Sequence, residues 1–126
     1  SFLSNCVKRS YPDGMDIRIT NLKDLIKSSK MTKKKFDYEH VTTHIQRNPK
    51  IFKNINILAP TNLYYPNLGL TLDEINDYIL IKKIIIYFTK KKKKYTYNCQ
   101  DILSLLSEKK GWIKINKNVK RKAYQL

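Results

Sequence analysis

The sequence has 126 residues, and 26 Lys and Arg against 10 Asp and Glu give a formal charge of +16; that length holds one domain, or part of a larger one, with a core of modest size. An apolar share of 41% with 14 aromatic residues excludes a disordered tail, which cannot bury enough surface to offset its ordering entropy. The longest apolar stretch, Tyr78–Phe88, is interrupted by Lys82 and Lys83 and falls short of the roughly 20 residues a membrane span needs.

In chain order, Tyr11-Pro12-Asp13-Gly14 has the residue types of a tight turn, Pro fixing φ and Gly permitting a positive one. Met15–Ile19 alternates apolar and charged residues, the period of a half-buried strand. Asn21 can cap a helix running to about Ser28, with Asp24 in its first turn. A second helix is expected from a cap at Asp37 to Arg47, ended by Asn48-Pro49 and followed by a strand over Asn54–Leu58. Thr61–Asn67, with Pro60 before it and Pro66 inside it, reads as a surface loop, and Leu68–Leu72 as a short apolar strand. Asp73 then stands ready to cap a long helix, Glu74–Thr89, which is apolar nearly all round and so calls for cover on more than one face. A lysine loop at 90–94 leads to an expected strand, Tyr95–Tyr97, and to a helix capped by Asp101 that carries Ile102, Leu103, Leu105 and Leu106. Trp112, Ile113 and Ile115 form a last docked segment before a basic tail, 117–126.

Strands alternating with helices indicate an α/β layout, and so few strands suggest part of a sheet protein whose other strands lie elsewhere. The opening residues SFLSN lack the basic-then-apolar layout of a secretory leader and do not begin with Met, as a piece of a longer chain would not; the expected setting is the cytoplasm. Two distant cysteines, Cys6 and Cys99, make neither a disulfide framework nor a metal site, and both read as buried small hydrophobes. With 3 Gly in all, neither a Walker A loop nor a GxGxxG turn is present.

The charge invites a nucleic-acid reading, but the cations are 22 Lys and only 4 Arg, and Arg is the side chain that forks onto phosphates and stacks on bases. Lys, Asn, Ile and Tyr, all with A/T-rich codons, make up 58 of the 126 residues, so the 90–94 run reads first as a solvated loop. A small basic nucleic-acid-binding protein would need Lys33–Lys35, the lysine loop and the tail to converge beside aromatic residues. A non-catalytic structural remnant is the third alternative.

Four stretches go beyond composition: LSNCVKRSYPDGMDIRI (Leu3–Ile19), EHVTTHIQRNPKIFKNINI (Glu39–Ile57), LTLDEINDYILIKKI (Leu70–Ile84), and DILSLL (Asp101–Leu106) followed by INKNVKRKA (Ile115–Ala123). In order and spacing they resemble the C-terminal half of the SpsF-type cytidylyltransferases, named after spore coat polysaccharide biosynthesis. The resemblance implies a Rossmann-like nucleotidyltransferase fold. Residues 1–126 would then form a single partial domain whose N-terminal, nucleotide-binding half is missing. It also implies CMP transfer from CTP to a sugar for surface polysaccharide or glycan synthesis, with Mg²⁺ as cofactor and no activity of this piece alone. The implied partners are CTP, a sugar and the N-terminal half of the same enzyme; a homodimer is open, a membrane is not implied, and nucleic acid is disfavoured.

Asp73 sits where a strand should end and a helix begin, the family's place for a metal-binding aspartate; by itself it reads as a helix cap. Asp13 reads as a turn residue, and Asp16 either pairs with Arg18 on a solvent face or, as the resemblance suggests, faces a sugar pocket. Arg9 suits a phosphate or a sugar carboxylate. Glu39 and His40 match the family's EHVT element and are candidate sugar contacts. His44 lies four residues beyond His40, but without the glutamate of HExxH the spacing does not make a zinc site. The sequence departs from the family at Glu74-Ile75-Asn76, in place of x-Pro-Glu, at Thr43 for Pro, and at Gly69, where many relatives carry an anion-binding Arg.

Overall fold

The computed structural model describes residues 1–91 and 95–120. Lys92–Lys94 of the lysine loop and residues 121–126 of the basic tail lie outside the described residues. Two compact units divide the described chain, Ser1–Arg9 with Asp16–Leu58, and Ser10–Met15 with 59–120.

In the first unit a three-stranded sheet has β1 (Phe2–Ser4) at its centre, β2 (Arg18–Thr20) antiparallel on one side and β3 (Asn54–Asn56) parallel on the other. The parallel pair needs a crossover, and three helices between β2 and β3 supply it. The first, α1 (Leu22–Met31), begins as expected: the Asn21 side chain accepts the Asp24 amide at 2.7 Å. Phe2, Ile45 and Phe52 are fully buried on the helical side of the sheet, with Leu25 of α1 against them.

The helix expected from Asp37 to Arg47 is two, α2 (Lys35–Glu39) and α3 (Thr43–Arg47), with Val41 at φ +24° between them. Asp37 is no cap. It is buried within the first turn of α2, where its carboxylate accepts the Thr32 hydroxyl at 2.6 Å and pairs with Arg47. Ten residues of continuous helix would hold the two about 15 Å apart; the break lets the charges meet.

The register aligns Leu3, Ile19 and Ile55 in one row across the sheet, on the face opposite the buried Phe2 and Ser4. Ile17 and Ile57 lie two residues beyond Ile19 and Ile55, on the same side by strand periodicity. Ile17 and Ile19 are 56% and 59% exposed, and Ile55 and Ile57 43% each. The strand expected over Met15–Ile19 is therefore shorter and later, and its apolar face is bare.

In the second unit the tight turn forms, with the Met15 amide on the Pro12 carbonyl at 3.1 Å and Gly14 at φ +102°. The strand expected over Leu68–Leu72 reduces to one parallel bridge between Asp13 and Gly69, made by Asp13 N on Leu68 O at 2.8 Å and Leu70 N on Asp13 O at 2.7 Å. Three helices follow: α4 (Ile75–Lys90), α5 (Cys99–Glu108) and α6 (Lys110–Ile113). Leu80, Ile84 and Phe88, spaced four apart on α4, pack with Leu68 and with Ile102, Leu103, Leu105 and Leu106 of α5. Trp112, Ile113 and Ile115 dock on this core as expected.

No strand forms at Tyr95–Tyr97: Tyr95 and Thr96 make a turn, Tyr95 at φ +65°, and the Tyr97 ring stacks on Phe88, ring centroids 4.2 Å apart. The α5 cap is Asn98; Asp101 lies one turn in and accepts the Asn98 amide at 3.0 Å, while Asn98 accepts the Asp101 amide at 3.1 Å. Along α4 only one stripe is packed. Ile75, Tyr78, Ile79, Ile85 and Ile86 are exposed, and Leu72, Tyr78, Ile81, Lys82, Ile85 and Ile86 line a shallow apolar groove. Among the described residues no helix is long and apolar enough to cross a membrane.

Candidate functional site

The start of α4 organises the acids of the second unit. The helix begins one residue later than expected, with Glu74 and not Asp73 at the cap position. Glu74 and Asp77 form a capping box: the Glu74 side chain accepts the Asp77 backbone N–H, and the fully buried Asp77 accepts at Oδ2 the backbone N–H groups of Glu74 at 3.2 Å and Asp73 at 3.3 Å. Asp77 Oδ1 accepts Asn116 Nδ2 at 2.7 Å, and the same amide nitrogen donates to the Gly69 carbonyl at 2.9 Å. Asp73 thus stands just outside the helix with an exposed side chain. Gly69 in turn is bridged to Asp13. The turn motif, the LTLD motif and the INK motif, far apart in sequence, meet through these bonds.

In the first unit Arg9 clasps Asp16 with both guanidinium nitrogens, at 2.8 and 3.1 Å, and Arg18 stands 3.9 Å from the same carboxylate. Arg9, not Arg18, is therefore the principal partner of Asp16, in the planar two-point geometry that carboxylates and guanidiniums share. Arg18 Nε lies 3.2 Å from Cys6 Sγ and Ser4 Oγ 3.0 Å from it, so the half-buried Cys6 has polar contacts and is not the buried small hydrophobe expected. Glu39 ends α2, exposed, and His40 follows as its C-cap with its ring edge-on to Phe36 at 4.5 Å. His44 Nδ1 is 2.9 Å from Ser28 Oγ and its ring lies edge-on to Phe52, a structural arrangement.

Of the six residues singled out from sequence, Arg9 and Asp16 are brought into direct contact. Glu39 and His40 lie in the same unit as that pair, Asp13 and Asp73 in the other. Asp77 and Asn116 were not anticipated. Asp77 had a local signal, an acid three residues after a cap position; Asn116 had none, since its partners lie 39 and 47 residues away.

Cys99 opens α5, where the helix dipole favours thiolate, but burial pushes its thiol up. Burial wins, and the group is a packing residue.

No cluster of three or more His, Cys, Asp or Glu side chains able to hold a metal occurs among the described residues. Mg²⁺ does not require one: it is commonly held by one or two carboxylates, with phosphate oxygens and waters completing the octahedron. Were Mg²⁺ to bind here, the exposed Asp73 would be the carboxylate to hold it, since the buried Asp77 is committed to backbone N–H groups and to Asn116.

The arrangement is that of a nucleotidyltransferase-like α/β fold. The chain is similar to the solved structure of a cytidylyltransferase from Leptospira borgpetersenii serovar Hardjo-bovis (strain JB197), with a TM-score of 0.78 and 26% identity, over 97% of this chain and 48% of that one. It is also 29% identical over 112 residues to an uncharacterised protein of Methanocaldococcus jannaschii, 89% of this chain and 44% of that protein. No family model matches. The chain thus spans about half the length of each protein it resembles.

Proposed function

We propose that these residues are the C-terminal part of an SpsF-type cytidylyltransferase that transfers CMP from CTP to a sugar for surface polysaccharide or glycan synthesis in the cytoplasm. The observation that carries the reading is the likeness to a cytidylyltransferase over nearly the whole chain, with the motifs in family order. In the reaction a sugar hydroxyl oxygen bonds to the α-phosphorus of CTP, the bond to the bridging oxygen breaks, and pyrophosphate leaves while the hydroxyl proton passes to a base. Bound Mg²⁺ supplies charge neutralisation on the phosphates. In this reading Asp73 holds the cation, Arg9, Asp13, Asp16, Glu39 and His40 serve the sugar side, and the base, ribose and most phosphate contacts come from the N-terminal half. The lysine-rich surface raises the local concentration of anionic substrates by steering.

Two features support the idea of a part. Parallel strands are ordinarily covered on both faces, yet among the described residues the Leu3–Ile19–Ile55 row has helices packed on the other side only. No Gly-rich phosphate loop occurs in the sequence.

The test is pyrophosphate release and CMP-sugar formation by the protein that joins this segment to its N-terminal half, with a panel of sugars. Turnover that falls about 100-fold in Asp73→Asn is expected. Full activity of that variant, or no CTP turnover with any sugar, overturns the reading. CMP-sugar formation by the 126 residues alone would remove the claim that the piece is incomplete.

A further inference from the structure

The two acids of α4 and α5 at the third helical position do the same capping work, yet their settings differ. Asp101 is half-buried and accepts from the amide of its cap. Asp77 is fully buried, takes a second backbone N–H from residue 73, and is gripped by an asparagine from beyond α6 that is itself 5% exposed. A buried carboxylate and a buried carboxamide are costly unless their hydrogen bonds are made. Capping α4 needs one Asp; it does not need Asn116. The bonds that Asn116 adds lie at the two ends of one short segment, the Gly69 carbonyl and, through Asp77, the Asp73 amide. Between those ends Leu70 N is held by Asp13 O. The segment Gly69–Asp73 is thus held at Gly69, Leu70 and Asp73, and the exposed Asp73 stands at its end.

We propose that Asn116 is a positioning residue for Asp73, acting through Asp77 to fix the backbone from which the Asp73 carboxylate projects. The inference rests on the proposed role of Asp73 in cation binding. It assigns to the INK element a task in that site, carried by one amide group that bonds a carbonyl on one side and a carboxylate on the other. Outer-shell partners of this kind typically change metal affinity or activity by about 10- to 100-fold when removed.

The experiment uses the full-length protein. Asn116→Leu keeps the branched side-chain shape, with somewhat greater bulk, and removes both bonds; if it does not fold, Asn116→Ser, which is smaller and too short to make both bonds, is read in the same way. Amide hydrogen exchange, which needs no turnover, is expected to quicken about 10-fold at Asp73 and Glu74 while the α5 amides keep their protection. The Mg²⁺ concentration for half-maximal rate should rise about 10-fold with the sugar KM unchanged. In an Asp73→Asn background, Asn116→Leu should have no further effect on rate, because both changes remove the same interaction. Unchanged exchange at Asp73 in the folded variant overturns the proposal, and so do additive rate losses, which a merely structural residue would give. If Asp73→Asn alone keeps full activity, the role of Asp73 fails, and with it the reason for positioning it, even where the exchange result shows that Asn116 pins the segment.

Discussion

Gly14 is held at φ +102°, and an added Cβ would sit 2.5 Å from the Leu70 carbonyl oxygen, a backbone atom that cannot swing away. The close approach is what brings the turn against the LTLD segment. Gly14→Ala combines a left-handed backbone with that clash, and should lower stability by about 3 kcal/mol in urea unfolding; an unchanged midpoint would refute the packing described. The turn was legible because its demand is local: only certain residue types adopt those dihedrals. The neighbouring acids show the opposite case. Asp73 and Asp77 lie one helical turn apart in the same motif, and sequence favours the first as the cap. Burial decides for the second, and burial depends on Asn116, which no local rule connects to α4.

At the scale of elements, caps with their partners three residues away were readable. Asn21 shows this; the α5 start does not, because the expected cap Asp101 lies one turn inside the helix and Asn98 is the cap. The α2–α3 break was not readable, because a continuous apolar pattern hides a tertiary ion pair. Arg47 is the partner that compensates the buried Asp37 charge. Arg47→Ala should therefore cost about 3 kcal/mol, since it leaves an uncompensated buried charge. Asp37→Asn in the same background should restore part of that loss by removing the charge. Equal stability of Arg47→Ala and the parent, measured by circular dichroism in urea, would show that the pair does not hold the break.

For the whole molecule, the deciding features are two uncovered apolar faces. One is the Ile17, Ile19, Ile55, Ile57 side of the sheet, the other the groove side of α4. Large exposed apolar patches mark interaction surfaces. The isolated 126 residues should self-associate at micromolar concentration despite their charge. The double variant Ile19→Thr/Ile55→Thr should reduce that association in sedimentation. A chain that stays monomeric, or a double variant that associates as strongly as the parent, would speak against the sheet face as an interaction surface.

The sequence by itself did not show the central strand Phe2–Ser4 and suggested two strands, over 68–72 and 95–97, that do not form; what it determined is the turn, the Asn21 helix start, the helical stretches of α4 and α5, and a set of motifs pointing to nucleotide transfer. Each of these is a local property, set by side-chain type within a few residues. Tertiary structure alone decided which aspartate is buried and which is exposed, which arginine holds Asp16, where the second helix breaks and which apolar faces stay bare. Those outcomes depend on partners tens of residues away, and hydrogen bonding and burial act on distance in space, not along the chain.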